Sequence, residues 1–350
     1  MATTIEIHGS SNDTNLVLAS DSASIADRGT ASVVPTPEIS LNIIDSTFGV
    51  ILNTEGKEGI KLAAKSANIN ISYTPDFKFS LNDLSYGDAI LLPSYYLSDE
   101  RIDYKYLTSS ASIRLNSEGF LKWSQTTDGS HLIDQIFNLD GYHALLYGDT
   151  GLQDQLWTDF SINSVTDFSG KTMRCAGQWK DWLQLNGATR PSDYQTNPNV
   201  NILEYVSRFQ DPGQPAFPKM TYNYTNFTSE PRATFYLMIK NSVWNRLSVK
   251  QKTVLESSCL TNYGSMDNII KNVNDFYYEN ISTWKDDPTH YELDMPASVK
   301  TSFYTYSKTK LEEDLSNNST STTFSRLINS MKTFSLANPE YVIDPTFISY

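Results

Sequence analysis

The chain is poor in the residues that build metal and redox centres. Its 350 residues include two cysteines, Cys175 and Cys259, and four histidines, His8, His131, His143 and His290. The cysteines lack metal-ligand spacing and no two histidines lie three or four apart, so no dedicated metal site is expected. Two isolated buried thiols are expected rather than a disulfide. Positive charge is also scarce: 27 Lys and Arg against 40 Asp and Glu leave a net charge of −13. A chain this acidic lacks the clustered basic side chains that phosphate backbones require, which argues against a nucleic-acid partner. It does not argue against one buried cation serving a small anion. No apolar run reaches the roughly 18 residues needed to cross a membrane. A basic n-region followed by a long apolar segment is not visible at the N-terminus either.

The motifs of enzymes are missing too. The first strand ends in Asp45-Ser-Thr-Phe-Gly49, which lacks the glycine spacing of a dinucleotide turn. There is no G-x-S-x-G elbow, P-loop, H-E-x-x-H or paired Cys and His. Asp286-Asp287 stand beside Pro288, where a solvated turn is the plain reading. The chain is therefore not expected to be an enzyme or to carry a cofactor.

What remains is an apolar, aromatic chain. Hydrophobic residues make up 39% and aromatics 12%, too much for a disordered polymer. The length suffices for two lobes with separate cores. Residues 1–38, rich in Ser, Ala, Thr and Asp, read as an arm or linker. Strands are expected at 39–44, 70–74 and 87–93, with a helix at 54–67. This alternation indicates an α/β layout with a largely parallel sheet. Residues 95–140 read as mostly helix with a polar break near 125–130, and 142–148 as another strand and turn. An irregular stretch covers 189–231, and Thr234-Phe-Tyr-Leu-Met-Ile239 is a strong strand.

The clearest helix opens at Ser248-Val-Lys-Gln251, a capping-box pattern. Beyond it Leu255, Cys259, Tyr263, Met266, Ile270, Val273, Tyr277, Ile281 and Trp284 step by three or four. That stripe predicts one helix of about 35 residues, roughly 50 Å long, which exceeds a single domain and spans two. Gly264 is a candidate kink. The stripe is a packing face, not a cofactor box.

A second feature is Asp167-Phe-Ser-Gly-Lys-Thr-Met-Arg174-Cys-Ala-Gly177, closing at Gly187-Ala188. It reads as a turn, a short strand ending in arginine, and a helix starting at or just after Gly177. A guanidinium held at a strand end suits bidentate capture of a carboxylate. An ordinary surface arginine is the bland alternative.

These pieces, in this order from about Tyr142 to about Lys310, resemble the extracytoplasmic solute-binding proteins of TRAP transporters, the DctP-like family. Members carry a segment like D-L-K-G-L-K-I-R-x-P-G, then a helix ending in G-A. A strand, a W-x-x-L turn and a long helix come later, here Phe235 to Ile239, Trp244 to Leu247 and the helix after Gln251. The resemblance implies a two-lobe periplasmic-binding-protein-like clamshell with a long helix spanning both lobes. The division would be 39–141 plus about 236–270 for the first lobe and 142–235 plus about 271–310 for the second. Residues 311–350 would form a C-terminal extension. It also implies that Arg174 pairs with the carboxylate of a small organic acid, delivered to a TRAP-type membrane permease from the periplasm or the extracellular side. Trp179, Tyr147, Trp157 and Tyr236 are candidate aromatic walls. The family's second basic residue, about twenty positions before the motif, is missing from Tyr147 to Asp154, and its V-D-G-x-E-N-P element is missing too. Those departures point to a single carboxylate on an apolar or aromatic body rather than a dicarboxylate. Arg232 and Arg190 are the spare cations that could stand in. The alternative is a structural or assembly protein that reuses the clamshell, its N-terminal arm mediating subunit contacts.

Overall fold

The computed structural model describes residues 37–46, 51–76, 81, 85–93, 97, 100–108, 112–153, 155–205, 211–228 and 230–343, with only the backbone at 51–55, 212 and 266–283. The N-terminal arm, apart from its last two residues, and Tyr95 and Tyr96 lie outside the described residues.

Two five-stranded sheets carry the chain. The first begins with β1 (Ile39–Asp45), helix α1 (Ile51–Lys65), β2 (Ile69–Pro75) and β3 (Ala89–Pro93). Three helices follow: α2 (Ile102–Thr108), α3 (Ser117–Ser124) and α4 (Thr127–Asn138). Only Gln125 and Thr126 separate the last two, because Thr126 starts the next helix at once by accepting the Gly129 N–H at 3.0 Å. The chain then enters β4 (Tyr142–Asp149).

The second sheet takes β5 (Leu156–Thr158), β6 (Met173–Arg174), α5 (Gly177–Leu185), β7 (Ile202–Leu203) and β8 (Tyr222–Thr225). β9 (Thr234–Lys240) returns to the first sheet, followed by α6 (Asn241–Trp244) and α7 (Val249–Lys285). β10 (Tyr291–Asp294), α8 (Ala297–Asn317) and α9 (Thr322–Ala337) complete the order.

The first sheet runs β2-β1-β3-β9-β4 and the second β10-β8-β5-β7-β6. β1 is parallel to β2 and β3, whereas β9 lies antiparallel between β3 and β4. The sheet is thus parallel on one side only. The strand that crosses back from the second sheet arrives from the opposite direction, and sequence periodicity carries no strand direction.

Both faces of the first sheet are buried. One core holds Ile90, Tyr236, Phe120 and Phe137 under α2, α3, α4 and α9. The other holds Leu41, Leu91, Leu237 and Cys259 under α1 and α7. Residues 322–337 belong to the first of these cores, since Phe324, Leu327, Ile328 and Met331 are all fully buried there. β4 likewise sits in the first sheet, so the chain passes to the second sheet after Asp149 rather than before Tyr142. The second sheet packs on Phe168, Trp179, Trp182 and Phe303.

Helix α7 begins as the capping box predicts. Ser248 N–H donates to Gln251 Oε1 at 2.9 Å and Gln251 N–H donates to Ser248 Oγ at 3.3 Å. It runs 37 residues without a break, about 55 Å at roughly 1.5 Å per residue. Leu255 and Cys259 enter a first-sheet core, while Trp284 packs against Trp157 of the second sheet. The intervening positions Met266 to Ile281 of the apolar stripe lie outside the described side chains. A second helix also ties the lobes: α8 buries Val299, Phe303 and Tyr304 in the second-sheet core and Leu311 in the first. Cys175 and Cys259 are buried free thiols.

Candidate functional site

The motif around Arg174 is built by local rules that its sequence spells out. Asp167 Oδ2 accepts the backbone N–H groups of Asn163 and Ser164, both at 2.8 Å, which holds its carboxyl below the usual range. Helix α5 ends in a Schellman closure: Ala188 N–H reaches Leu183 O at 3.0 Å and Gly187 N–H reaches Gln184 O at 3.1 Å. Gly187, at φ +86, takes the left-handed turn this closure needs, which explains the Gly-Ala pair.

Arg174 ends β6 and is locked to the segment after β7. Its carbonyl accepts the Glu204 N–H at 3.0 Å, and its Nη1 donates to the Glu204 carbonyl at 2.9 Å. The guanidinium lies 3.9 Å from the Tyr205 ring centroid. Arg174 is only 8% exposed, yet no carboxylate among the described residues lies within ion-pair distance of it. Its Nε is buried without a hydrogen-bond partner among the described residues. A buried cation without a paired anion costs free energy unless something compensates it.

Acidic groups cluster just beyond this arginine. Glu204 is buried with Oε1 unpartnered. Burial raises its carboxyl well above the ordinary 4.5, only partly offset by Arg174 and reinforced by Asp211 and Glu230. Gln178, in the first turn of α5, is 2% exposed with both amide ends unpartnered. Its backbone N–H donates to Glu230 Oε1 at 2.9 Å. Gly177 stands at φ +61, and a Cβ built on it would fall 2.2 Å from that same Glu230 oxygen. Glycine is therefore required twice, by the backbone turn and by the close approach of the carboxylate.

The other expected site residues separate. Trp179 is fully buried, stacked on Trp182 at 4.7 Å and edge-on to Phe303 at 5.0 Å. Tyr147 belongs to the core under α1 and α7, on the opposite face of the first sheet from Tyr236. Trp157 is held by Asp211 Oδ2, which accepts its indole N–H at 2.8 Å. Arg190 stacks over Tyr194 at 4.5 Å. Arg232 and Tyr236 share one core, with Arg232 3.7 Å from the Phe120 centroid and Tyr236 4.8 Å from that of Phe137. Glu204, Gln178 and Glu230 carried no signal in the sequence beyond Glu204 being an isolated acid. They assemble because β6, β7 and the segment before β9 meet.

Two sheets with a seam crossed by strands and two long helices define a two-lobe solute-binding fold. The chain has the fold of the TRAP periplasmic solute-binding proteins. A Pseudoalteromonas atlantica protein of that class, solved with sodium and pyruvate, superposes at TM-score 0.76 with 16% identity over 89% of this chain and 97% of its own. A Colwellia psychrerythraea protein, solved with calcium and pyruvate, gives 0.77 and 16% over 87% and 96%. A Bordetella bronchiseptica protein, with calcium and picolinate in one site of its dimer, gives 0.74 and 15% over 87% and 94%. No protein-family profile and no curated sequence matches the chain. Among the described residues, no group of three or more His, Cys, Asp or Glu is placed to hold a metal ion.

Proposed function

We propose that the chain is a TRAP-type solute-binding protein that captures a small organic acid between its lobes and delivers it to a membrane permease. The observation that carries this is Arg174. It is anchored through Nη1, stacked on Tyr205, buried, and without an anionic partner among the described residues. Its Nε, on the guanidinium edge away from Nη1, is buried with no hydrogen-bond partner among the described residues. A ligand carboxylate fits this edge with two parallel hydrogen bonds, strengthened as closing lobes lower the local dielectric.

Delivery to a permease places the protein in the periplasm or outside the cell. Among the described residues, no helix is long and apolar enough to cross a membrane. In this reading the first lobe takes 39–149, 233–265 and 311–343, and the second takes 155–228 and 284–310. The proteins of like fold that carry pyruvate and picolinate supply the first probes. Calorimetry should show one acid binding per chain, and Arg174→Met should weaken it by about tenfold or more, the worth of a charge-assisted bidentate contact. Equal affinity in the variant would remove Arg174 from the site.

A further inference from the structure

One arginine is held in a backbone conformation that its residue type does not favour. Among the described residues, three non-glycine positions take a left-handed φ: Asn68, Asn226 and Arg114, the last at +58. Asparagine tolerates that region through local hydrogen bonds of its short side chain, an advantage arginine lacks. Ile113 and Leu115, on either side, are fixed in the first core at 0% and 1% exposure. Strain of this kind persists only where surrounding contacts over-determine it.

Those contacts converge on Arg114 from both lobes. The residue is 2% exposed. Its Nε donates to the Ile343 carbonyl at 2.8 Å, its Nη1 to the Thr228 carbonyl at 3.5 Å and its Nη2 to the Tyr304 hydroxyl at 3.2 Å. Its guanidinium also lies over the Tyr304 ring, 4.2 Å from the centroid. Tyr304 belongs to the second-sheet core. Two positions before the arginine, Ser112 Oγ donates to the Ser307 carbonyl of α8 at 2.7 Å. One planar fork therefore joins the first lobe to a carbonyl, a hydroxyl and a ring of the second.

Residues 339–343 back this arginine as a strap. Leu115 and Val342 form an antiparallel bridge, Asn116 N–H donates to the Tyr341 carbonyl at 2.9 Å, and Ile343 N–H donates to the Arg114 carbonyl at 2.9 Å. The strap lies directly on α3, where a Cβ built on Gly119 would fall 2.5 Å from Tyr341 Cβ.

The arrangement held in this way is a shut one. Arg174, Gln178, Glu204 and Arg232, all at the seam, are 8% exposed or less. We infer that Arg114 and the strap form a latch that keeps the two lobes closed in the free protein. Closure is then built into the fold, and opening is the transient event. The latch rests on the solute-binding reading only for its purpose, which is to set how often the cleft opens to take up or release a solute.

Single-molecule energy transfer on the full chain reads the interlobe distance, with dyes on Leu62→Cys of α1 and Leu185→Cys of α5. Both positions are exposed, whereas Cys175 and Cys259 are buried and stay unlabelled. With Arg114 intact and no acid added, one short-distance population should dominate. Arg114→Met removes all three hydrogen bonds and should raise the long-distance population about tenfold or more. Tyr304→Phe keeps the ring, removes one oxygen and should raise that population about threefold; it decides the matter if Arg114→Met does not fold. Gly119→Ala, which pushes the strap off α3, should shift the population the same way. An arginine with a merely structural role would lower the urea midpoint and leave the distances alone. A long-distance majority with Arg114 intact overturns the inference. So do distances unmoved in Arg114→Met, or in Tyr304→Phe where that variant decides, and distances unmoved in Gly119→Ala overturn the strap's part. None of these readings needs a ligand, so failure to bind pyruvate or picolinate falls on the solute-binding reading alone.

Discussion

Gly177→Ala is the sharpest probe of how the site is held. Gly177 sits at φ +61, where a side chain costs about 1–2 kcal/mol of backbone strain. The new Cβ would lie 2.2 Å from Glu230 Oε1 and 2.9 Å from its Cδ, so the Glu230 carboxylate must move. Moving it breaks the 2.9 Å hydrogen bond from Gln178 N–H, a bond to a charged group worth about 1.5–3 kcal/mol. Together the loss is about 2.5–5 kcal/mol. In a Glu230→Ala background the clash and the bond are both gone, and Gly177→Ala should cost only the backbone part, about 1–2 kcal/mol. Urea unfolding of the four proteins, followed by far-UV circular dichroism and by fluorescence of the adjacent Trp179 and Trp182, measures the coupling. An equal cost in both backgrounds would refute the role assigned to Glu230. A total below about 1 kcal/mol would refute the strained turn as well.

Two further outcomes follow from buried groups. The Glu204 carboxyl is raised by burial, so the folded protein holds a proton that the unfolded chain releases near 4.5. Stability should therefore fall as pH rises above that value, by up to about 1.4 kcal/mol per pH unit until the folded-state group ionises. Glu204→Gln should remove this slope and leave the variant the more stable of the two above neutral pH; denaturation series at several pH values check it, and parallel slopes would count against it. Met331→Ala should cost about 2–5 kcal/mol although it lies near the chain's end, because Met331 is fully buried in a first-sheet core; thermal unfolding reads this, and a neutral result would mean α9 is dispensable.

Local chemistry was legible in the sequence because it acts over a few residues. The Ser248 and Gln251 pair, the Gly187-Ala188 closure, the strand ending in Arg174 and the long apolar stripe each depend on near neighbours, and each forms an element where the pattern indicates. The order of those elements was enough to suggest a two-lobe clamshell. The reversed direction of β9, the return of α9 into a first-sheet core and the second tie through α8 depend on contacts between distant segments, which no spacing encodes. The site divides in the same way. Arg174 could be singled out because one strand presents it, and its burial without a paired anion among the described residues emerged only when Glu204 and Tyr205 closed over it. Trp179 and Tyr147 are aromatic residues of the kind that lines a cleft, but tertiary packing put them in separate cores. Arg232 shows the reverse. In sequence it is one spare cation among others, and only the fold buries it against Phe120, anchors one nitrogen and leaves one edge of its fork free. Sequence decides which side chains are available; burial and the pairing of distant backbone segments decide which of them keep an unmet charge.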